Sequence, residues 1–126
     1  MTFCKDKYRG TREYFLATCE LIGAARARTV VGYKQIAQLT GLPLSGNYMA
    51  KEMGQLLGEI AEDEVNRGRP MLSAVAVGVS GKPGSGFYAL ARLLGRPRDD
   101  SGASEEAFWE TEKEAVYATW TDSEAP

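Results

Sequence analysis

Between Asn47 and Arg67 the apolar residues Met49, Met53, Leu56, Leu57, Ile60 and Ala61 recur at helical spacing. A stripe of that length commits the middle of the chain to one long amphipathic helix, which other elements must cover. Asn47 is placed as its N-cap, and Gly68-Arg69-Pro70 ends it. On this reading Glu59, Glu62, Asp63 and Glu64 look toward solvent. Upstream, residues 11–27 read as a helix capped by Thr11, with Tyr14, Phe15, Thr18, Leu21, Ile22 and Ala25 repeating along it. Tyr33 to Gly41 reads as a short second helix with Ile36, Ala37 and Leu39 inward and Gly41 as its stop. Leu42-Pro43-Leu44-Ser45-Gly46 is a turn.

Downstream, residues 71–79 form a β-branched, apolar run that reads as a buried strand. Ser80 to Gly86 is a glycine-rich turn carrying Lys82, and Phe87–Leu94 reads as a short helix closed by Gly95. A last helix is expected from about Ser104 to Trp120, with Glu105 and Glu106 suiting its positive end. Trp109 and Trp120, at helical spacing, read as core. Thr121–Pro126 reads as a disordered end. With 126 residues the chain has the size of one domain. The expectation is a single domain over 1–126, its core at about 8–121 and an acidic segment at 99–126. The fold class is α+β and mostly helical: a winged helix-turn-helix-like single domain with a short β element and a C-terminal helix.

The sequence contains no histidine, which removes Ser-His-Asp and Cys-His chemistry and most metal sites. Cys4 and Cys19 are the only cysteines and lack CxxC spacing, which suits reduced thiols in a cytoplasmic protein. No signal-type leader and no apolar run near the length of a membrane span is seen. The Ser80–Gly86 turn does not continue as a Walker loop. Glu105/Glu106 and Asp99/Asp100 are adjacent in sequence and point apart, so they make poor acid–base pairs. The expectation is therefore a non-enzyme without cofactor or metal.

Charge divides the chain. Residues 1–98 hold fourteen Lys/Arg against eight Asp/Glu, whereas residues 99–126 hold one Lys and nine acids. Residues 65–98 contain no acid at all, while Arg67, Arg69, Lys82, Arg92, Arg96 and Arg98 fall within them. That is the electrostatic footprint of a chain that meets nucleic acid. The contacts expected for DNA are Lys34, Ser45, Asn47, Tyr48, Lys51 and Lys82, by analogy with helix N-termini and loops that hold phosphates. A second reading is a protein partner bound through an acidic surface of Glu52, Glu59, Glu62 and Asp63. A small inhibitor encoded by a phage or mobile element would use such acids to mimic phosphates.

The pattern Tyr33-x-x-Ile36-Ala37, Gly41-x-Pro43, Gly54-x-x-Leu57, Pro70, Gly81, Gly84-x-Gly86-Phe87 and Leu93-Leu94 resembles the DNA-binding domain of alkylguanine-DNA alkyltransferases and the alkyltransferase-like proteins. The resemblance covers residues 33–94 and implies a winged-helix fold. It places the family's base-stack arginine on Lys51, within Lys51-Glu52-Met53-Gly54. The family's Pro-Cys-His-Arg run falls on Pro70-Met71-Leu72-Ser73, where cysteine, histidine and arginine are all missing. On this resemblance alkyl transfer is lost, and with it the alkylated-base pocket, and what it implies is a winged-helix fold more than an activity.

Overall fold

A computed structural model describes residues 2–42, 46–96 and 104–121. Ser45 and Arg98, named above, lie outside the described residues, as do residues 122–126. The order is α1 (Arg12–Arg26), β1 (Val31–Gly32), α2 (Tyr33–Thr40), α3 (Gly46–Asn66), a 3-10 turn (Leu72–Val75), β2 (Ala76–Val77), α4 (Ser85–Leu93) and α5 (Glu105–Thr121). The fold is thus mostly helical, with a two-stranded parallel sheet and a C-terminal helix. The strands pair Val31 with Ala76 and Gly32 with Val77.

Local chemistry explains most boundaries. Thr11 caps α1, its hydroxyl accepting from the Tyr14 amide. Gly41 ends α2 at φ +83°, a left-handed conformation that costs glycine nothing, and its N–H returns to the Ala37 carbonyl. α3 begins one residue before the expected cap: Gly46 (φ +89°) opens it, so Asn47 lies inside its first turn rather than capping it.

The segment Met71–Val77 is buried throughout and is the axis on which the helices pack. α1, α3 and α5 all pack against the 3-10 turn. Leu21, Ile36, Leu56, Ile60, Met71, Leu72, Val75 and Val116 meet in the core. Trp109 is buried there, and its indole N–H donates to the Ala74 carbonyl at 2.8 Å. Tyr8 and Tyr117 are buried as well, and Trp120 packs against the same cluster.

Several expectations are corrected. Residues 71–79 do not form a long strand; they make a 3-10 turn and two residues of sheet. An apolar run buried on every side has no alternation to identify it, so periodicity could not separate the two. Leu39 and Phe15 do not face inward; both are exposed. Thr121 belongs to α5. No helix among the described residues is long and apolar enough to cross a membrane.

Candidate functional site

The largest departure from the sequence reading concerns the acids of α3. Glu59 and Glu62 are 0% exposed, Glu52 and Glu64 are buried, and Asp63 is half-buried. They do not form a solvated face; they hold the N-terminal segment. Glu59 accepts three consecutive backbone amides: Lys7 at 3.2 Å, Tyr8 at 3.0 Å and Arg9 at 2.8 Å. Successive amides converging on one anion form a nest, here closed around a carboxylate of the same chain. Glu62 accepts the Phe3 and Cys4 amides and pairs with the Arg9 guanidinium at 2.6 Å. Asp63 takes Arg9 Nε at 3.0 Å and the Tyr14 hydroxyl. Glu52 takes Lys7 Nζ at 2.6 Å and the Tyr8 hydroxyl, and these two partners hold its carboxyl below the usual range. Burial and the Glu52 carboxylate push the Tyr8 phenol up. Glu52, Glu59, Glu62 and Asp63 are therefore occupied by internal partners, and the acidic surface expected for a protein partner is not presented.

On another side of α3 lies a cavity of about 360 Å³. Met49, Met53 and Leu57 of α3 and Phe87 and Leu90 of α4 form its apolar wall, and Cys4 closes one edge. Four glycines, Gly54, Gly58, Gly84 and Gly86, line it and leave it open. Its polar side is made by Tyr33, Ser73 and the start of α4. The Gly84 amide donates to the Tyr33 hydroxyl oxygen at 2.8 Å, which joins the start of α2 to the turn before α4. Burial raises the Tyr33 phenol above its ordinary value, so at neutral pH it keeps its proton. Ser73 is 6% exposed, and its hydroxyl has no hydrogen-bond partner among the described residues. Burial, with Glu62 next, pushes the Cys4 thiol up to about 11, which leaves it a neutral thiol and a poor nucleophile. Among the described residues no cluster of acids and cysteines could hold a metal.

Gly54 is informative because nothing lies within 4 Å of where its Cβ would be. A glycine inside a helix costs about 0.5–1 kcal/mol relative to alanine, and no steric conflict requires one here. Gly54→Ala is expected to stabilise the fold by roughly that amount in urea unfolding, while narrowing the cavity. Gly58 differs: a Cβ there would meet Cys4 Sγ at 3.3 Å.

The expected nucleic-acid contacts are partly brought together. Asn47, Tyr48 and Lys51 stand exposed on the first turns of α3, with Tyr48 61% exposed, and Lys51 lies three residues before Gly54 of the cavity. Lys34 is exposed beside Tyr33, and neither Lys34 nor Lys51 has an ion pair among the described residues. Lys82 is instead bound to Glu106 of α5 at 2.8 Å, a pair exposed on both sides. The remaining basic stretch is largely spent as well. Arg69 pairs with Glu64 at 2.7 Å, Arg92 with Glu105 at 2.6 Å and Arg96 with Glu112 at 2.9 Å. The acids that pair with this stretch come from the end of α3 and from α5.

Comparison with protein-family models, with curated proteins and with solved structures finds no match to this chain.

Proposed function

We propose that this protein is a non-enzymatic nucleic-acid-binding or regulatory module of winged-helix type, with the start of α3 as its contact surface. The observation that carries this reading is the fate of the α3 acids. Glu52, Glu59 and Glu62 would repel phosphates if exposed, but all three are buried against the N-terminal segment. What α3 shows to solvent over its first turns is Asn47, Tyr48 and Lys51. A cation, an amide and an aromatic ring are the groups that hold phosphates and stack on bases. Lys34 adds a second cation without an ion pair among the described residues, and Lys82 is paired but available, because an exposed pair such as Lys82–Glu106 is readily exchanged for a phosphate. The winged-helix assignment and the alkyltransferase-like resemblance belong to the same reading: Lys51 stands where that resemblance puts an arginine, on an exposed helix face.

Fluorescence anisotropy with labelled duplex and single-stranded oligonucleotides tests it. Binding is expected to weaken steeply between low and moderate salt, since each phosphate contact releases a counterion. Lys51→Ala is expected to weaken binding across sequences and to reduce the slope of log K against log salt by about 1. No binding to either oligonucleotide at low salt would overturn the proposal.

A further inference from the structure

The cavity between α3 and α4 has a chemistry of its own that the contact surface of α3 does not use. Its body is apolar, formed by Met49, Met53, Leu57 and Phe87, and among the described residues no lysine, arginine, aspartate or glutamate lines it. Its polar side presents donors. Ser73 is more than nine-tenths buried and lines the cavity, and its hydroxyl has no partner among the described residues. The Tyr33 hydroxyl already accepts the Gly84 amide, which leaves its own proton free to be donated. The amides of Ser85 and Gly86, in the first turn of α4, make no backbone hydrogen bond of the kind that Phe87 makes with the Gly84 carbonyl. These amides mark the positive end of a nine-residue helix.

We propose that this cavity binds a small, largely apolar carboxylic acid, its ring or branched chain against Met49, Met53, Leu57 and Phe87, its carboxylate received by Ser73, Tyr33 and the start of α4. The Ser85 and Gly86 amides can only donate and the Ser73 and Tyr33 hydroxyls each have a proton to give, so donors outnumber acceptors and favour a ligand group that accepts. The helix end favours a negative charge over a neutral carbonyl. The absence of a lining cation and the apolar walls disfavour a phosphate, whose charge would be left without a counter-ion. The volume suits a one- or two-ring body and lies at the small end of ligand cavities. The proposal stands independently of nucleic-acid binding; both together would describe a module that reports on a small acid.

The test is a titration with 1-naphthoate and, separately, with naphthalene-1-carboxamide, read by amide proton–nitrogen shifts. Expected are saturable shifts at Ser85 and Gly86 with the acid and at least roughly tenfold weaker binding of the carboxamide. Ser73→Ala is expected to weaken the acid roughly tenfold. Gly54→Leu, which projects a side chain into open space, is expected to abolish binding while the thermal melt shows a folded protein. If Gly54→Leu does not fold, Gly54→Ala serves instead and is expected to weaken binding. Equal binding of acid and carboxamide, shifts that avoid α4, or binding unchanged in the folded position-54 variant would each overturn the proposal.

Discussion

Replacing Glu59 by alanine is expected to cost about 3–5 kcal/mol in denaturant unfolding. The carboxylate is fully buried and accepts the amides of Lys7, Tyr8 and Arg9 as well as Gln55 Nε2 at 2.7 Å. Without it, three adjacent backbone donors lose their acceptor at once. Each buried orphan donor costs about 1–3 kcal/mol, so the full penalty would exceed what docking of the N-terminal segment can repay. The segment would then leave α3 and hydrate its amides, which caps the loss. The prediction therefore has a spatial signature. Hydrogen exchange should accelerate at Lys7, Tyr8 and Arg9, while α1 and the Met71–Val77 axis keep most of their protection. Glu59→Gln keeps one acceptor oxygen but sets an amide donor against the same nest, so it should fall between the wild type and alanine. A loss below about 1 kcal/mol for Glu59→Ala would mean that the nest contributes little to stability.

This arrangement also shows where reading from sequence stopped. The acids at 52, 59, 62 and 63 share one face of a helix, and their spacing says so. Charge on a helix face is ordinarily solvated, and nothing local distinguishes a solvated carboxylate from one whose partner lies 50 residues away. For Glu59 the partner is a stretch of backbone, which carries no sequence signature, and for Glu52, Glu62 and Asp63 it includes the side chains of Lys7, Tyr8, Arg9 and Tyr14. By contrast, the elements governed by local rules were legible. Thr11 and Gly41 mark helix ends through capping chemistry, the Met49–Ala61 stripe places α3, and Trp109 falls in the core as its spacing implies. The short sheet failed for the opposite reason, since Met71–Val77 is apolar on every side and carries no period. Lys34, Asn47, Tyr48 and Lys51 were legible as exposed polar groups. The cavity beside them was not, because its lining is mostly the same residue types that build a core. Gly54 gave no distinguishing sign, since Gly23 of α1 is equally a helical glycine without a steric reason.

The N-terminal segment and the cavity are linked physically. Cys4, held by its amide on Glu62, forms an edge of the cavity and sits against Gly58. Carboxylates that bury themselves to hold a strap thus do two things at once: they clear negative charge from the exposed turns of α3 and they complete one wall of the cavity. Both consequences depend on the acids that the sequence suggested were an exposed patch.

Removing Glu112 should cost as much as removing Glu59, about 3–5 kcal/mol for alanine, but with a global rather than local signature. Glu112 is buried on α5 and accepts the Met71 amide at 2.8 Å and both Nε and Nη2 of Arg96 at 2.9 Å. It joins three parts of the chain: α5, the start of the buried axis and the residues after α4. Alanine leaves the Met71 N–H orphaned within the core and a partly buried guanidinium without its counter-ion. The Met71 amide cannot escape to water without dissolving the packing of α1, α3 and α5 on the 3-10 turn, so unfolding should stay cooperative, with a lower midpoint and an unchanged m-value. A double-mutant cycle with Arg96→Ala separates the two contributions. Coupling of about 1–3 kcal/mol between positions 96 and 112 is expected, leaving a remainder for the amide. The pairs Lys82–Glu106 and Arg92–Glu105 lie nearby on the same helix but in solvent, and breaking either should barely move the transition. Equal effects from Glu112→Ala and Glu105→Ala would show that burial, the property that separates them, does not decide the strength of these contacts.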